Sequence, residues 1–311
     1  MRRNSKIVSL LPAGTEIVCE LGLGDHLVGR SHECDFPAAV RTLPVCTRLR
    51  IDPAQPGAVI DRQVKERLSH GLSIYEIDLE KLRQLRPDFI LAQAQCEVCA
   101  VGLEDVERAV AAELDFQPKI ISTAPQRLAD LWDDMKRLAE ALGESAKGKA
   151  LVDRLKARVV AVLEKTCRLK NCPTVASIEW LDPLMAAGNW VPELVELAGG
   201  KNVLGEPGKH SSWLKWTELQ SANPEMIVLM PCGFDLERTQ KEFSATQQSA
   251  DWQGLRAWHR KKIFLTDGNQ FFNRPGPRLV ESLEILAEIV QPRLFHFGYE
   301  GKAWKRFGPR D

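Results

Sequence analysis

Leu85-Arg86-Pro87-Asp88-Phe89-Ile90 and Ala222-Asn223-Pro224-Glu225-Met226-Ile227 are one junction written twice. In each, a helix-like run (77–85 and 216–222) meets a proline, an acid follows, and the chain enters an apolar stretch. Proline drives the residue before it out of the helical region, so the helix ends there, and the apolar stretch reads as a buried strand. The repetition predicts two lobes of related build.

Outward from these junctions, short apolar runs at 6–11, 27–29, 88–92 and 119–122, then 174–178, 225–230 and 262–266, alternate with helical segments. Buried parallel strands separated by helices are the signature of α/β layers. Between the halves, Leu128, Leu131, Met135, Leu138 and Leu142 recur at helical spacing, Gly143 interrupts, and Leu151, Leu155, Val159, Val162 and Leu163 resume it. The second run, 144–166, predicts a helix of about 34 Å, long enough to pass from one lobe to another. The expected organisation is an N-terminal α/β lobe (1–124), a helical linker with a spanning helix (125–172) and a C-terminal α/β lobe (173–311), with a ligand cleft between the lobes.

A chain of 311 residues exceeds the size at which one core usually stops growing, in keeping with two domains. With 42 basic against 42 acidic residues there is no net field to attract nucleic acid, and the basic Lys302, Lys305, Arg306 and Arg310 read as a solvated tail. Met1-Arg2-Arg3-Asn4-Ser5-Lys6 resembles the charged start of a secretory signal, but Pro12, Gly14, Glu16 and Glu20 interrupt the apolar region such a signal needs. The expected location is therefore cytoplasmic, or periplasmic if the start of the chain is trimmed or misassigned. Eight cysteines without a framework spacing fit a reducing compartment.

The segment Ile7-Val8-Ser9-Leu10-Leu11-Pro12-Ala13-Gly14-Thr15-Glu16 with Leu21-Gly22-Leu23-Gly24-Asp25-His26-Leu27-Val28-Gly29, then the first junction, Leu194 to Val203 and the second junction, resemble in order the helical-backbone periplasmic binding proteins for cobalamin, haem and iron-siderophores. The nearest likeness is to the cobalamin-binding branch, in a subgroup marked by Ser31-His32-Glu33-Cys34-Asp35-Phe36-Pro37, Gln93 to Cys99, Pro231-Cys232-Gly233-Phe234-Asp235 and Asn273 to Arg278. This resemblance implies a monomeric solute-binding protein, not an enzyme, that holds a corrinoid, siderophore or haem and serves an ABC-type membrane permease. It also implies docking glutamates, one per lobe, for which Glu97 or Glu104 and Glu218 stand in matching positions; ordinary solvated carboxylates explain the same letters.

In parallel α/β sheets ligands sit beyond the carboxyl ends of the strands, which selects the candidate residues. After the first strand come Pro12, Ala13 and Gly14, whose helix start suits a polar group or is a plain helix entry. After the second comes His32, a candidate axial ligand to the metal of the chelate, in a loop that a helix cap at Asp35 also explains. Gln95 follows the third strand, with the Cys96/Cys99 pair, whose spacing serves metal or thiol chemistry or simply two buried thiols. In the second half, Trp190, Trp213, Phe234, Phe271 and Phe272 offer apolar surface to a flat macrocycle, or pack the core, with Asn269 and Arg274 as polar contacts. The reading from a different class is a cytosolic thiol- or metal-dependent enzyme using Cys96, Cys99 and His32. No phosphate-binding glycine loop, Ser-His-Asp order or His-Glu-x-x-His helix supports catalysis.

Overall fold

The computed structural model describes residues 4–94 and 102–308. The chain divides into two compact units, and the main division falls between Arg154 and Leu155.

Unit 1 begins with β1 (Ile7–Ser9), α1 (Pro12–Glu20), β2 (Leu27–Arg30) and β3 (Thr47–Leu49). It continues through α2 (Gly57–Ser69), β4 (Tyr75–Ile77), α3 (Leu79–Leu85), β5 (Phe89–Gln93), α4 (Leu103–Glu113), β6 (Lys119–Thr123) and α5 (Leu128–Ala141). Four parallel strands lie in the order β2-β1-β5-β6, and β3 pairs with β4 antiparallel as a separate ribbon. Val8, Leu10, Ile90 and Ala92 pack with Leu82, Val106 and Val110 from the helices. Because β2 and β5 flank β1 on opposite sides, the connections after β1 diverge, which is where such sheets open a binding crevice at their carboxyl end.

Helix α6 (Ser145–Thr166) follows a left-handed Gly143 and carries the chain across the division of the units. Unit 2 proceeds through β7 (Thr174–Leu181), β8 (Leu184–Ala186), α7 (Val191–Leu197), β9 (Lys201–Asn202), β10 (Ser212–Trp213), α8 (Trp216–Ala222) and β11 (Met226–Leu229). Then come α9 (Leu236–Thr246), α10 (Ala250–Gln253), α11 (Arg256–His259), β12 (Ile263–Thr266), α12 (Leu279–Val290) and β13 (Trp304–Arg306). Its sheet runs β10-β8-β7-β11-β12-β13, with β9 beside β7; β7, β11 and β12 are parallel, while β8, β10 and β13 pair antiparallel at the margins. The core joins Ala176, Ile178, Ile227, Leu229, Ile263 and Leu265 to Leu219, Phe243 and Trp252.

The two proline junctions do the same work in each unit. Arg86 and Asn223 close α3 and α8 in the left-handed region, at φ 47° and 37°. The following acid then turns to the first strand of its own sheet. Asp88 Oδ2 accepts from the Lys6 amide at 2.8 Å, and Glu225 Oε2 accepts from the Thr174 amide at 3.2 Å. Each carboxylate thus anchors the start of one parallel strand beside the next, β1 beside β5 and β7 beside β11.

Candidate functional site

In unit 1, the loop after β1 enters α1 without a side-chain cap, and Pro12, Ala13 and Gly14 are buried. A Cβ on Gly14 would stand 3.0 Å from Leu11 Cδ2 and 3.1 Å from both Leu91 Cδ1 and Ser9 Oγ. The glycine thus lets α1 seat on its own sheet, a packing requirement.

The loop after β2 is tied back to the sheet, with the Ser31 amide donating to Ser9 O at 2.8 Å and Arg30 Nη1 donating to the carbonyls of Ser31 and Cys34 at 3.0 Å. Within it, Thr47 Oγ1 accepts from the His32 amide at 3.1 Å, donates to Ser31 Oγ at 3.1 Å, and lies 2.8 Å from His32 Nδ1. With the Thr47 proton on Ser31, Nδ1 carries the imidazole hydrogen and Nε2 presents a lone pair. Nε2 is out of solvent contact, has no hydrogen-bond partner and stands 4.0 Å from Glu33 Oε1. Burial, aided by the Arg30 charge, lowers the His32 pKa to about 4, so the imidazole stays neutral. A neutral imidazole oriented through its other nitrogen is the arrangement of a metal-ligating histidine. Thr47, which orients it, lies on three-residue β3, too short to show a pattern in sequence.

The neighbouring thiols do not converge on His32. The buried Cys34 thiol accepts from Thr15 Oγ1 at 3.0 Å, and Cys46 is fully buried below Gly29. Burial pushes the Cys46 thiol up to about 11. Among the described residues no three His, Cys, Asp or Glu side chains gather into a metal-holding group. Gln95, Cys96, Glu97 and Cys99 lie outside the described residues. Glu104 is exposed on the first turn of α4; Glu218 is exposed on α8, where its carboxylate accepts from the Lys215 amide at 2.7 Å.

The neutral histidine carries a pH signature. A folded-state pKa near 4 against an ordinary value near 6.5 means that the unfolded chain binds the extra proton between those limits. Stability from this source is complete above pH 6.5 and lost as pH falls toward 4, by about 3 kcal/mol at most. Denaturant midpoints at pH 7 and pH 4.5 should therefore differ less in His32→Gln than in the parent; equal differences contradict the assignment.

In unit 2, three loops leave the carboxyl ends of the sheet. Ala187 to Trp190 follows β8, Pro231 to Asp235 follows β11, and Asp267 to Arg278 follows β12. Gly268 lets two of them touch, since a Cβ there would meet Pro231 O at 2.2 Å. Asn269 N donates to Phe234 O at 3.0 Å, and Asn273 Nδ2 donates to the carbonyls of Met230 and Gly268. Phe272, fully buried, has φ 54°, a left-handed conformation unusual for a bulky side chain. Its amide donates to Ser282 Oγ at 3.0 Å and its carbonyl accepts from Trp190 Nε1 at 2.7 Å. Asp267 takes two hydrogen bonds from Gln270, Arg274 Nη2 donates to Asn269 Oδ1, and the Arg278 guanidinium lies 5.6 Å from the Phe271 ring centre. Burial raises the Asp267 pKa, opposed by those hydrogen bonds and by Arg274.

This geometry redistributes the aromatic residues. Trp190, Phe234, Phe271 and Phe272 are buried, holding loops together instead of offering faces. Phe234 packs against Trp180 at 5.1 Å, with the Arg238 guanidinium 3.8 Å over its ring. Trp213, on edge strand β10, keeps 50% exposure. Asn189, at φ 51°, carries a buried Oδ1 without a hydrogen-bond partner, making it a stronger polar candidate than the Trp190 beside it.

An α/β chain in two units of related build, each gathering polar loops at the carboxyl end of its parallel strands, has the architecture of a solute-binding protein. A family model described as periplasmic binding protein matches residues 7–269, and the chain belongs to that family. It is 22% identical over 298 residues to the uncharacterized ABC transporter substrate-binding lipoprotein YvrC of Bacillus subtilis, covering 93% of this chain and 81% of that one. It is 23% identical over 288 residues to a vitamin B12-binding protein of Vibrio vulnificus, covering 91% and 89%. Among solved structures, a periplasmic heme-binding protein of Pseudomonas aeruginosa superposes with TM-score 0.71 at 17% identity over 99% of both chains. The periplasmic vitamin B12-binding protein BtuF of Vibrio cholerae gives 0.66 at 19% identity over 94% of this chain and 98% of that one.

Proposed function

We propose that this solute-binding protein carries a corrinoid, cobalamin or a close analogue, outside the cytoplasmic membrane and presents it to an ABC-type permease. The observation that carries the ligand class is His32: a neutral, pre-oriented imidazole with an unpartnered Nε2, at the strand end where ligands of such sheets bind. An acceptor nitrogen of this kind suits the cobalt of a corrinoid or the iron of haem better than a metal-free solute. The vitamin B12-binding relatives, matched over most of their length, favour the corrinoid.

The relatives named periplasmic or lipoprotein favour an extracytoplasmic location over the cytoplasmic one expected from the first residues. Of the described thiols, Cys167 and Cys172 are exposed, Cys34 and Cys46 are buried, and burial together with Glu16 and Glu20 pushes Cys19 up to about 11. A thiol so far from its thiolate reacts slowly with oxidants.

Protein isolated from its own host should carry visible absorption bands of a corrinoid, extractable with acid and identifiable by mass. Haem bands in their place would keep the chelate and change its identity. Colourless protein containing an extractable metal-free solute would contradict the proposal.

A further inference from the structure

The opposite end of the unit 2 sheet, where the parallel strands begin, concentrates positive charge. Lys201 opens β9 beside Thr174 of β7, and the preceding loop holds exposed Arg168 and Lys170. Glu225, which anchors Thr174, also receives Arg256 Nη2 at 2.8 Å and Arg260 Nη1 at 3.5 Å. Lys261 and Lys262 follow immediately before β12, and Arg306 of β13 donates to the carbonyls of Lys261 and Arg260. The carboxylates in these segments are Glu164, Glu196, Glu225 and Asp251, fewer than the cations, although the whole chain is neutral.

Apolar side chains stand in the same edge. Gln291, just beyond α12, donates to Gly199 O at 2.9 Å, so the chain leaves α12 beside the start of β9. It then presents Leu294 at 40% and Phe297 at 44% exposure. Phe297 stacks on buried Phe295 at 5.6 Å, and Lys165 lies 5.2 Å over the Phe295 ring. Arg293 is exposed beside them.

We propose that this edge docks on an anionic lipid bilayer, with Leu294 and Phe297 entering the headgroup boundary and the surrounding Lys and Arg side chains pairing with lipid phosphates. Cations alone suit any polyanion. An exposed leucine and phenylalanine within a cationic field gain free energy where an acyl boundary lies beneath the charge, which a nucleic acid does not offer. The docking edge lies at the amino ends of the strands, so it leaves the carboxyl-end loops of the same unit uncovered.

Flotation of the full chain with phosphatidylcholine vesicles, with and without phosphatidylglycerol, tests this. Binding is expected only to the anionic vesicles and should fall as salt is raised. Lys170→Glu combined with Lys261→Glu should weaken it at least about twentyfold, and Phe297→Ser with Leu294→Ser should weaken it while keeping its salt dependence. Unchanged unfolding midpoints show that these surface variants fold. Equal binding to neutral vesicles, no loss in the charge-reversed variant, or preference for heparin or DNA over vesicles at matched charge would each overturn the proposal.

Discussion

Phe272→Ala is expected to lower the stability of unit 2 by about 4 kcal/mol, the usual cost of emptying a fully buried aromatic site. The diagnostic comparison is with Phe272→Gly. At an ordinary backbone position glycine is about 1 kcal/mol worse than alanine, but at φ 54° an L-residue carries a penalty of about that size which glycine does not. The glycine variant should therefore equal or exceed the alanine variant in denaturant midpoint. A glycine variant clearly below alanine would contradict the left-handed assignment. Because the Phe272 carbonyl receives the Trp190 indole, both variants should also weaken ligand binding by loosening the loops after β8 and β12.

Glu284→Ala should cost about 3 kcal/mol and roughly 10 °C in Tm. Glu284 sits within buried α12 and accepts from Arg158 Nε at 2.9 Å, from Arg158 Nη2 at 2.7 Å and from the Tyr299 hydroxyl at 2.8 Å. Truncation leaves both donors unpaired. The loss falls at the low end for a broken buried pair because Arg158 keeps about a third of its side chain in solvent. Glu284→Gln, which keeps an acceptor oxygen, should cost clearly less. Thermal unfolding of the three proteins checks the order, and equal midpoints would contradict it.

The parallel strands were legible because each is a short apolar run bounded by proline, glycine or charge, and all seven runs became strands. The proline junctions also announced the relation between the units, whose physical basis, the carboxylate reaching back to the first strand, needed coordinates. The marginal strands β8, β9, β10 and β13 span only two or three residues, where alternation cannot be read. Site residues divided along another line. His32 could be chosen from its place after a strand, but its partner Thr47 could not, because the Thr47 hydroxyl is brought to the loop by a ribbon, β3 with β4, that carries no signal of its own. The aromatic residues were chosen for size, and size leads equally to the core; Trp190, Phe234, Phe271 and Phe272 went there, while Trp213 stayed on an edge strand.

The most direct test of the central claim is titration of the purified protein with cobalamin, followed by tryptophan emission and corrinoid absorption. Trp213 is half exposed, and a corrin ring that stacks on it absorbs where indole emits. Quenching with a midpoint at about micromolar or tighter is predicted, together with a shift of the corrinoid bands that His32→Ala abolishes while most of the quenching remains. Neither quenching nor a band shift with cobalamin, cobinamide, haem or ferric siderophores at ~100 μM would contradict the account.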